Sequence, residues 1–517
     1  MHLDLDRAPE TLSLRGEVCI IGAGVAGLLL ATQLAAQGVD ALLLESGGLD
    51  VEESAQQRNV SVMRGQLHTG TTEGRFRALG GTSTRWGGQL LTYTDDVFTP
   101  PPSVAAAFDM PRWPLGSMEL SRFIPALEKM LGVDSLPFDA ELLKTLTGVD
   151  SPFDNRFRLR YSKWIPFRRR NLGQSLGHRL MEHAHITVVT HATVAALHAP
   201  GGQHVDSATV MDSVGRRFTA HARTFIIATG TIESSRLLLL SPEVPNAYGQ
   251  IGLYFHDHVS LHAAEFAGPA RRKMLERLGP FLVGGALHTL KLEASDAWRE
   301  QNASLAVMAH VAIEEPEDSG IAAVRGALQA LQQGSLKSAL RQLPQALYGS
   351  FDVLRLLYAS RVTKRRAVTE QARVSLLIDS EQPPRASNRI ALSEERDALG
   401  QPRALVQWAA GTQEREAMRR FAPVVREELE RLGMAPEFWH DLATAPIRDT
   451  FHAMGGSRMG TDPRASVVDS NLRVHGVDNL RVLSCSVFPS GGSSNPTFTL
   501  GLLALRLAEQ LALQQTA

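Results

Sequence analysis

The order of apolar and polar positions near the N-terminus predicts a short α/β unit. Residues 17–21 (EVCII) form an apolar, partly β-branched run that ends at glycine, which indicates a buried parallel strand. Residues 28–37 then have the length and composition of a helix, Gly38 begins a turn, and residues 41–45 (ALLLE) indicate a second strand. The sequence therefore predicts two strands of one parallel sheet that are joined by a helix.

Further apolar runs extend this pattern along the chain. Residues 223–230 (RTFIIATG) indicate another strand that ends in glycine and is followed by a helix. Residues 374–378 (VSLLI), together with residues 389–393 (RIALS) and a polar turn that contains Gly400, indicate antiparallel strands. At 517 residues, the chain also exceeds the size at which one core stops growing, so two domains are expected.

Composition and charge argue against several classes of protein. Lys and Arg number 53 against 54 acidic residues, a balance that gives no basis for nucleic-acid binding. The two cysteines, Cys19 and Cys485, form neither a disulfide framework nor a metal-binding motif, and no metal site is predicted. The acidic residues 1–6 lack the basic start of a signal peptide, and no apolar run reaches the roughly 20 residues that span a bilayer. A cytoplasmic enzyme is the expectation.

Three glycines follow the first strand in the pattern Gly22-Ala23-Gly24-Val25-Ala26-Gly27. Such a loop turns tightly, brings the backbone close to a diphosphate and lets the helix pack closely on the strand. The free N–H groups at the helix N-terminus favour an anion, and Glu45 ends the second strand where ribose hydroxyls can bind. This unit predicts a dinucleotide site but leaves FAD and NAD open. Its predicted contacts are Gly22, Gly24, Val25, Ala26, Gly27, Glu45 and Ser46.

Three later segments carry glycine, hydroxyl and imidazole groups. Residues 77–88 are RALGGTSTRWGG, residues 452–460 are HAMGGSRMG, and residues 490–499 are SGGSSNPTFT. Adjacent glycines leave backbone N–H groups free to meet phosphate or ring oxygens. Histidine suits proton transfer because its pKa lies near neutral pH, so His452 is a candidate base. Asn495 offers an amide that can orient a hydroxyl group.

Together these segments resemble the glucose-methanol-choline (GMC) oxidoreductases, flavoenzymes that use FAD to oxidise alcohols. The resemblance covers almost the whole chain, with gaps at 265–370. It implies an α/β fold in which a Rossmann-like FAD-binding domain of the p-hydroxybenzoate hydroxylase type is interleaved with an α+β substrate domain built on an antiparallel sheet. The expected FAD-binding pieces are 15–90, 220–260 and 446–517, and the expected substrate-binding pieces are 91–219 and 261–445.

The resemblance also implies which residues contact FAD. Some members of the family bind flavin covalently through a histidine in the loop at 80–88. This chain has Arg85 at the corresponding position, so non-covalent FAD is predicted. Beyond the N-terminal unit, the implied contacts are Gly80, Gly81, Thr82, Ser83, Arg85, Trp86, Gly87, Gly88, Val194, Ala228, Gly230, Ser486, Asn495, Pro496 and Thr497.

The family reaction assigns roles to the C-terminal residues. His452 would accept the hydroxyl proton of an alcohol, Asn495 would orient the substrate, and the carbinol hydrogen would pass as hydride to flavin N5. Asparagine at this position is typical of the choline-, cholesterol- and pyranose-oxidising branch. His475, and the pair His256 and His258, are interpreted as structural residues.

Several alternatives stay open. The alcohol is expected to be a sugar, a polyol or a hydroxylated natural product, and the final electron acceptor is oxygen or another carrier. The main alternative is a lyase that keeps FAD without redox chemistry. A binding module or an NAD-dependent enzyme accounts for fewer of the motifs. The oligomeric state is open as well.

Residues 320–366 form the least expected segment. Eight Lys and Arg residues are interleaved there with leucines at helical spacing, against a single acidic residue. A basic amphipathic insertion of this kind can lie on an anionic membrane surface or meet an acidic partner. The preferred interpretation is a helical lid or a subunit contact whose basic residues are solvated.

Overall fold

The computed structural model describes residues 1–332, 340–341 and 364–516 of the chain. Its first sheet, here called the nucleotide sheet, is parallel along most of its width. In spatial order, its parallel strands are His2–Asp4, Ile186–Thr190, Ala41–Leu44, Ser13–Ile21, Arg217–Ile227 and Leu480–Val482. An antiparallel pair extends the sheet from the first half of Arg217–Ile227, and its strands are Ser207–Met211 and Thr193–His198.

The first predicted unit lies at the centre of the nucleotide sheet. The strand predicted at 17–21 is the end of Ser13–Ile21, which pairs in parallel with Ala41–Leu44. Val25–Ala36 is the connecting helix, and it packs against the C-terminal helix Thr497–Thr516. Because residues 18–21 and 41–44 are buried, their sequences are unbroken apolar runs rather than alternating patterns.

A second sheet, here called the substrate sheet, is antiparallel in all its described pairings. In spatial order, its main strands are Phe438–Trp439, His258–Glu265, Arg373–Glu381, Val307–Glu314, Ala286–Ala294, Phe157–Trp164 and Gln89–Leu90. Two short strands flank them, Phe281–Val283 and Arg448–Asp449. A smaller sheet consists of Arg389–Arg396, Pro402–Trp408 and Val62–Gly65. The predicted antiparallel strands at 374–378 and 389–393 are therefore confirmed.

The two faces of the substrate sheet differ in polarity. Leu261, Leu292 and Ile378 lie on one face, in a core that includes Phe421 of the helix Thr412–Arg431. Alternation along the strands places charged and imidazole side chains on the opposite face, namely Arg158, Arg160, His258, Lys291, Glu293, His310, Asp379 and Glu381. Glu293 and Glu381 on this polar face accept hydrogen bonds from the segment 492–494, so the polar face covers the C-terminal motif.

The helices connect the sheets and are mostly short. The α-helices are Val25–Ala36, Glu53–Gln56, Thr69–Thr72, Asp95–Phe98, Pro102–Phe108, Ser117–Ser121, Ile124–Leu131, Ala140–Thr147, Phe167–Arg170, His178–Met181, Gly230–Leu239, Gly268–Leu278, Asp296–Asn302, Gly320–Gln332, Thr412–Arg431 and Thr497–Thr516. Short 3₁₀ turns occur at Leu5–Arg7, Gln57–Asn59, Gly81–Thr84 and Cys485–Val487, and a π turn at Gly173–Gly177.

Sheet membership divides the chain differently from the boundaries expected from the sequence. The sequence assigns residues 186–211 to the substrate domain, whereas their strands belong to the nucleotide sheet. Val62–Gly65 and Gln89–Leu90, assigned by sequence to the FAD-binding domain, pair with strands of the other two sheets. Pairing between distant strands depends on the fold of the whole chain, and apolar runs do not reveal it.

The basic segment 320–366 is described only in part. The helix Gly320–Gln332 belongs to the described residues, whereas 333–339 and 342–363 do not. The expected lid or membrane-surface role of this segment therefore lies outside the described residues. Within the described ranges, no helix has both the length and the apolar character needed to cross a membrane.

Candidate active site

The glycine loop between the first strand and its helix meets two different steric requirements. A Cβ atom at Gly27 would lie 2.0 Å from the backbone oxygen of Gly22, so glycine is needed for the helix to approach the strand. Gly22 itself has a φ of +105°, which favours glycine. At Gly24, a Cβ atom would meet no atom within 4 Å, and this glycine borders a cavity. Gly22 and Gly27 thus serve the fold, while Gly24 leaves room for a ligand.

The Glu45 carboxylate ties this loop to the end of the second strand. One of its oxygens accepts from the Ala23 N–H at 3.0 Å, and the other accepts from the Gly47 N–H at 2.9 Å. Burial raises the pKa of Glu45 in spite of these hydrogen bonds. The carboxylate also lines the cavity beside Ser46, so it shapes the loop and borders the ligand space.

A cavity of about 250 Å³ brings together most of the predicted site residues. Those that line it are Gly22, Gly24, Val25, Ala26, Glu45, Ser46, Gly81, Thr82, Trp86, Ala228, Gly230, His452, Pro496 and Thr497. They come from the N-terminal unit, the second glycine loop, the end of the strand Arg217–Ile227 and both C-terminal motifs. The fold therefore joins motifs that are far apart in the sequence into one site.

The remaining predicted residues lie beside this cavity or support its wall. Val194 lines an adjoining cavity of about 50 Å³ that shares Gly22 with the main one. The Ser83 hydroxyl donates to the Gly80 carbonyl at 2.6 Å and accepts from the Leu172 N–H at 3.0 Å, so it fixes the second loop. The predicted residues outside both linings are Gly27, Gly80, Ser83, Arg85, Gly87, Gly88, Ser486 and Asn495.

His452 and Asn495 come from separate C-terminal segments and meet at the cavity. The Asn495 amide Nδ2 donates to His452 Nε2 at 2.8 Å. Asn495 Oδ1 is buried and has no hydrogen-bond partner among the described residues. Burial, and then the neighbouring His258, lower the pKa of His452 to about 4. The imidazole is therefore neutral near pH 7 and able to accept a proton.

A second imidazole contacts His452 from the substrate sheet. His258 Nδ1 lies 2.9 Å from His452 Nδ1, and the two rings meet edge to face with centroids 5.1 Å apart. The sequence-based interpretation of His258 as a residue of a structural crossing does not hold, because its strand passes directly beside His452. His256 has different surroundings, since its Nδ1 donates to the Tyr254 carbonyl at 2.8 Å.

A buried carboxylate fixes the backbone around His452. Asp257 Oδ1 accepts from the His452 N–H and from the Thr450 hydroxyl, both at 3.0 Å. Asp257 Oδ2 accepts from His68 Nε2 at 3.1 Å. Burial alone would raise the pKa of Asp257. The pKa is nevertheless lowered, chiefly by the hydrogen bond and charge of His68. No motif marks this network, because His68 and Asp257 are isolated residues in the sequence.

Two arginines line the same cavity. Arg75 and Arg77 form salt bridges to Glu233 at 2.9 and 2.7 Å. Burial alone would raise the pKa of Glu233, but Arg77, Arg236 and Arg75 together lower it far below its usual range. The sequence shows Arg77 at the start of the second glycine loop, but its pairing with the helix Gly230–Leu239 depends on the fold. The guanidinium groups favour a ligand that carries phosphate.

The residues present fit FAD. The open face of Gly24 and the N-terminus of the helix Val25–Ala36 provide the space and N–H groups that a diphosphate needs. Arg75 and Arg77 add positive charge along the same lining. Because this lining also includes His452, a bound dinucleotide would lie beside the candidate base.

Two family models match the chain. Residues 17–342 match the model described as FAD dependent oxidoreductase. Residues 384–504 match the model described as GMC oxidoreductase. The first match contains the glycine loop, and the second contains both His452 and Asn495.

Individual relatives are distant in sequence and cover different shares of the chain. Paromamine 6'-oxidase of Streptomyces fradiae is 25% identical over 96% of this chain and 91% of its own length. The fructose dehydrogenase large subunit of Gluconobacter japonicus is 24% identical over 63% of this chain and 53% of its own length. The structure of pyridoxine 4-oxidase from Mesorbium loti superposes with a TM-score of 0.57 at 17% identity, covering 96% of this chain and 99% of that protein. This last likeness concerns the fold.

Proposed function

The chain belongs to the glucose-methanol-choline family of FAD-dependent oxidoreductases and oxidises an alcohol, and we propose that this alcohol is a hydroxyl group of a sugar, a polyol or a related natural product. The observation that carries the proposal is the His452–Asn495 pair, in which His452 lines the cavity and Asn495 donates a hydrogen bond to it. We further propose that the predicted cofactor residues hold FAD without a covalent bond.

The names of relatives support this substrate class and the redox reaction. One relative is named for the oxidation of paromamine and another for the dehydrogenation of fructose, a sugar. Both names describe redox enzymes, which favours alcohol oxidation over the lyase alternative. We predict that the electron acceptor is oxygen or another carrier and that the location is cytoplasmic. The oligomeric state stays open.

Buried charged groups near His452 support a substrate with several hydrogen-bonding groups. Lys291 is 4% exposed, yet its side-chain amine forms neither a hydrogen bond nor a salt bridge with any residue in the described part of the chain. Burial lowers the pKa of Lys291 to about 8, while Asp379 opposes this shift. Asp379 accepts from His310 Nε2 at 2.8 Å. Both Lys291 and Asp379 affect the pKa of His452, so they act close to the proposed reaction centre.

The proposed mechanism assigns one task to each residue of the pair. FAD, when bound, supplies the acceptor for the hydride that leaves the alcohol carbon. His452 Nε2 takes the hydroxyl proton, for which its neutral state at pH 7 is required. The Asn495 amide already donates to His452 Nε2, and it can donate in the same way to a hydroxyl oxygen placed beside that atom. The amide thus orients the substrate for proton transfer.

An anaerobic reduction experiment tests the proposal. The FAD-bound protein is mixed with sugars, polyols and hydroxylated aromatic compounds, and loss of the oxidised flavin absorbance is followed. We expect one class of sugar-like alcohol to bleach the flavin. In His452→Ala, FAD should stay bound, but bleaching should slow by at least about a hundredfold, as is typical when a general base is lost.

The control is His475→Ala, which removes a histidine from the neighbouring motif. His475 Nε2 lies 2.9 Å from the Ser466 hydroxyl and is not part of the cavity lining, so its loss should leave the reduction rate within about twofold of the original. Unchanged reduction in His452→Ala would remove His452 from the mechanism. Bound flavin that no alcohol reduces would contradict the proposed substrate class.

A further inference from the structure

The contact between His258 and His452 indicates which ring nitrogens of the two histidines carry a hydrogen. His258 belongs to the strand His258–Glu265 of the substrate sheet and is 1% exposed. Its Nδ1 faces His452 Nδ1 at 2.9 Å, and its Nε2 lies 3.2 Å from the Gly491 carbonyl oxygen. Each ring nitrogen of His258 therefore has a partner whose chemistry is known or can be deduced.

The Gly491 carbonyl indicates which nitrogen of the His258 ring carries a hydrogen. A carbonyl oxygen can only accept, so the hydrogen of His258 lies on Nε2. In the neutral ring, Nδ1 is then an acceptor, and the hydrogen between the two facing nitrogens must belong to His452 Nδ1. The Nε2 atom of His452 is left without a hydrogen, which is the state a general base needs.

The opposite edge of the His452 ring gives the same assignment independently. The Asn495 Nδ2 group is a donor, so His452 Nε2 must accept from it at 2.8 Å. The other tautomer would direct a hydrogen on His452 Nε2 at the Asn495 amide hydrogens. It would also set two acceptor nitrogens against each other at 2.9 Å. Both edges of the ring therefore disfavour the tautomer that cannot act as a base.

Thr450 provides a second acceptor for the same hydrogen. Its hydroxyl donates to the Asp257 carboxylate at 3.0 Å, so its oxygen is free to accept from His452 Nδ1 at 2.8 Å. Asp257 also accepts from the backbone N–H of His452 at 3.0 Å. The carboxylate thus orients both Thr450 and His452.

The charged groups on the neighbouring strands have other partners or lie farther away. Glu381, which is paired in register with His258, accepts from the Gly492 N–H at 2.8 Å. Asp379 accepts from His310, and both Asp379 and Lys291 act on His452 through their charges rather than through a hydrogen bond. Among the described residues, His258 and Thr450 are therefore the side-chain acceptors for His452 Nδ1.

We propose that His258 is a positioning residue that holds His452 in the tautomer with its hydrogen on Nδ1, so that Nε2 is ready to take the alcohol proton. This inference rests on the proposed function of His452. It adds a residue from the substrate sheet to the proton-accepting machinery and gives that sheet a part in the chemistry as well as in substrate binding.

Two substitutions at position 258 separate positioning from support of the fold. His258→Leu introduces an apolar side chain of similar size and removes the acceptor, so we expect the limiting rate of anaerobic flavin reduction to fall roughly ten- to a hundredfold. His258→Gln provides an amide that can donate to Gly491 and accept from His452, and it should recover most of the lost rate. FAD affinity, substrate KM and thermal midpoint should be similar in both variants.

Three further variants complete the test. His262→Leu lies four residues along the same strand and should leave the rate unchanged. Adding Thr450→Val to His258→Leu removes the second acceptor and should slow reduction further. Equal rates in His258→Leu, His258→Gln and the original protein would overturn the inference, provided that His452→Ala is slow. If His452→Ala is itself fully active, the proposed function fails instead.

Discussion

The low pKa of His452 leads to a testable pH dependence. Burial lowers this pKa from 6.5 to about 4, so the neutral, proton-accepting form persists well below neutral pH. We expect the rate of anaerobic flavin reduction to stay nearly constant as the pH falls from about 7 to about 5, and to decline only as the pH approaches 4. The measurement is the limiting reduction rate across that range, in buffers that keep FAD bound.

The control for this pH profile is His452→Ala, whose residual rate should lack the acid decline. A histidine in contact with water has a pKa of about 6.5. If half of the rate were lost near pH 6.5 in the original protein, His452 would have the pKa of a solvated histidine, which would contradict the lowered pKa.

Individual site residues differ in how far the sequence could predict them. His452 and Asn495 stand in glycine-rich motifs with a family spacing, and the fold brings their nitrogen atoms to within 2.8 Å. His258 and Asp257 stand in no such motif. Their closeness to His452 depends on where the strand His258–Glu265 passes in the folded chain, which is a long-range property.

Within the strand–loop–helix unit, replacement of glycine by alanine should affect stability at one position and FAD affinity at another. In Gly27→Ala, the added methyl group would lie 2.0 Å from the Gly22 oxygen, so the apoprotein should lose about 1–3 kcal/mol of unfolding free energy. In Gly24→Ala, the methyl group meets no protein atom within 4 Å, so stability should change by less than about 0.5 kcal/mol. FAD affinity should nevertheless fall by roughly tenfold or more, because the methyl group occupies the cavity.

Urea unfolding of the apoprotein and fluorescence titration with FAD distinguish these two glycine variants. Each variant serves as the control for the other, since both add one methyl group to the same loop. Full FAD affinity in Gly24→Ala would show that the diphosphate does not approach this part of the backbone. An unchanged unfolding free energy in Gly27→Ala would contradict the close packing of helix on strand.

Strands and helices were more predictable than the sheets to which they belong. The run at 17–21 and the hairpin that begins at Arg389 have local patterns that determine their type. Ile186–Thr190 has an equally apolar pattern, but its place beside Ala41–Leu44 follows from packing across the whole molecule. The interleaved α/β architecture is confirmed, whereas the proposed domain boundaries need these long-range pairings.

The side chains that line the cavity also affect whether the cofactor can be bound covalently. Within the described residues, His452 is the one histidine in the lining, and Arg85 is exposed and lies outside the lining. Cys485 also lines the cavity, but burial raises the pKa of its thiol to about 12, so it stays protonated and weakly nucleophilic. The lining therefore contains one histidine, which the proposed mechanism uses as a base, and one weakly nucleophilic thiol.

We accordingly expect acid precipitation of the yellow protein to release all of its flavin. The supernatant should contain FAD in an amount equal to that bound before denaturation, measured by absorbance and by chromatography against authentic FAD. The native holoprotein after gel filtration is the control, because it should keep the cofactor through many non-covalent contacts. Yellow colour that remains with the washed precipitate would contradict the prediction and would direct attention to Cys485 and His452 as attachment points.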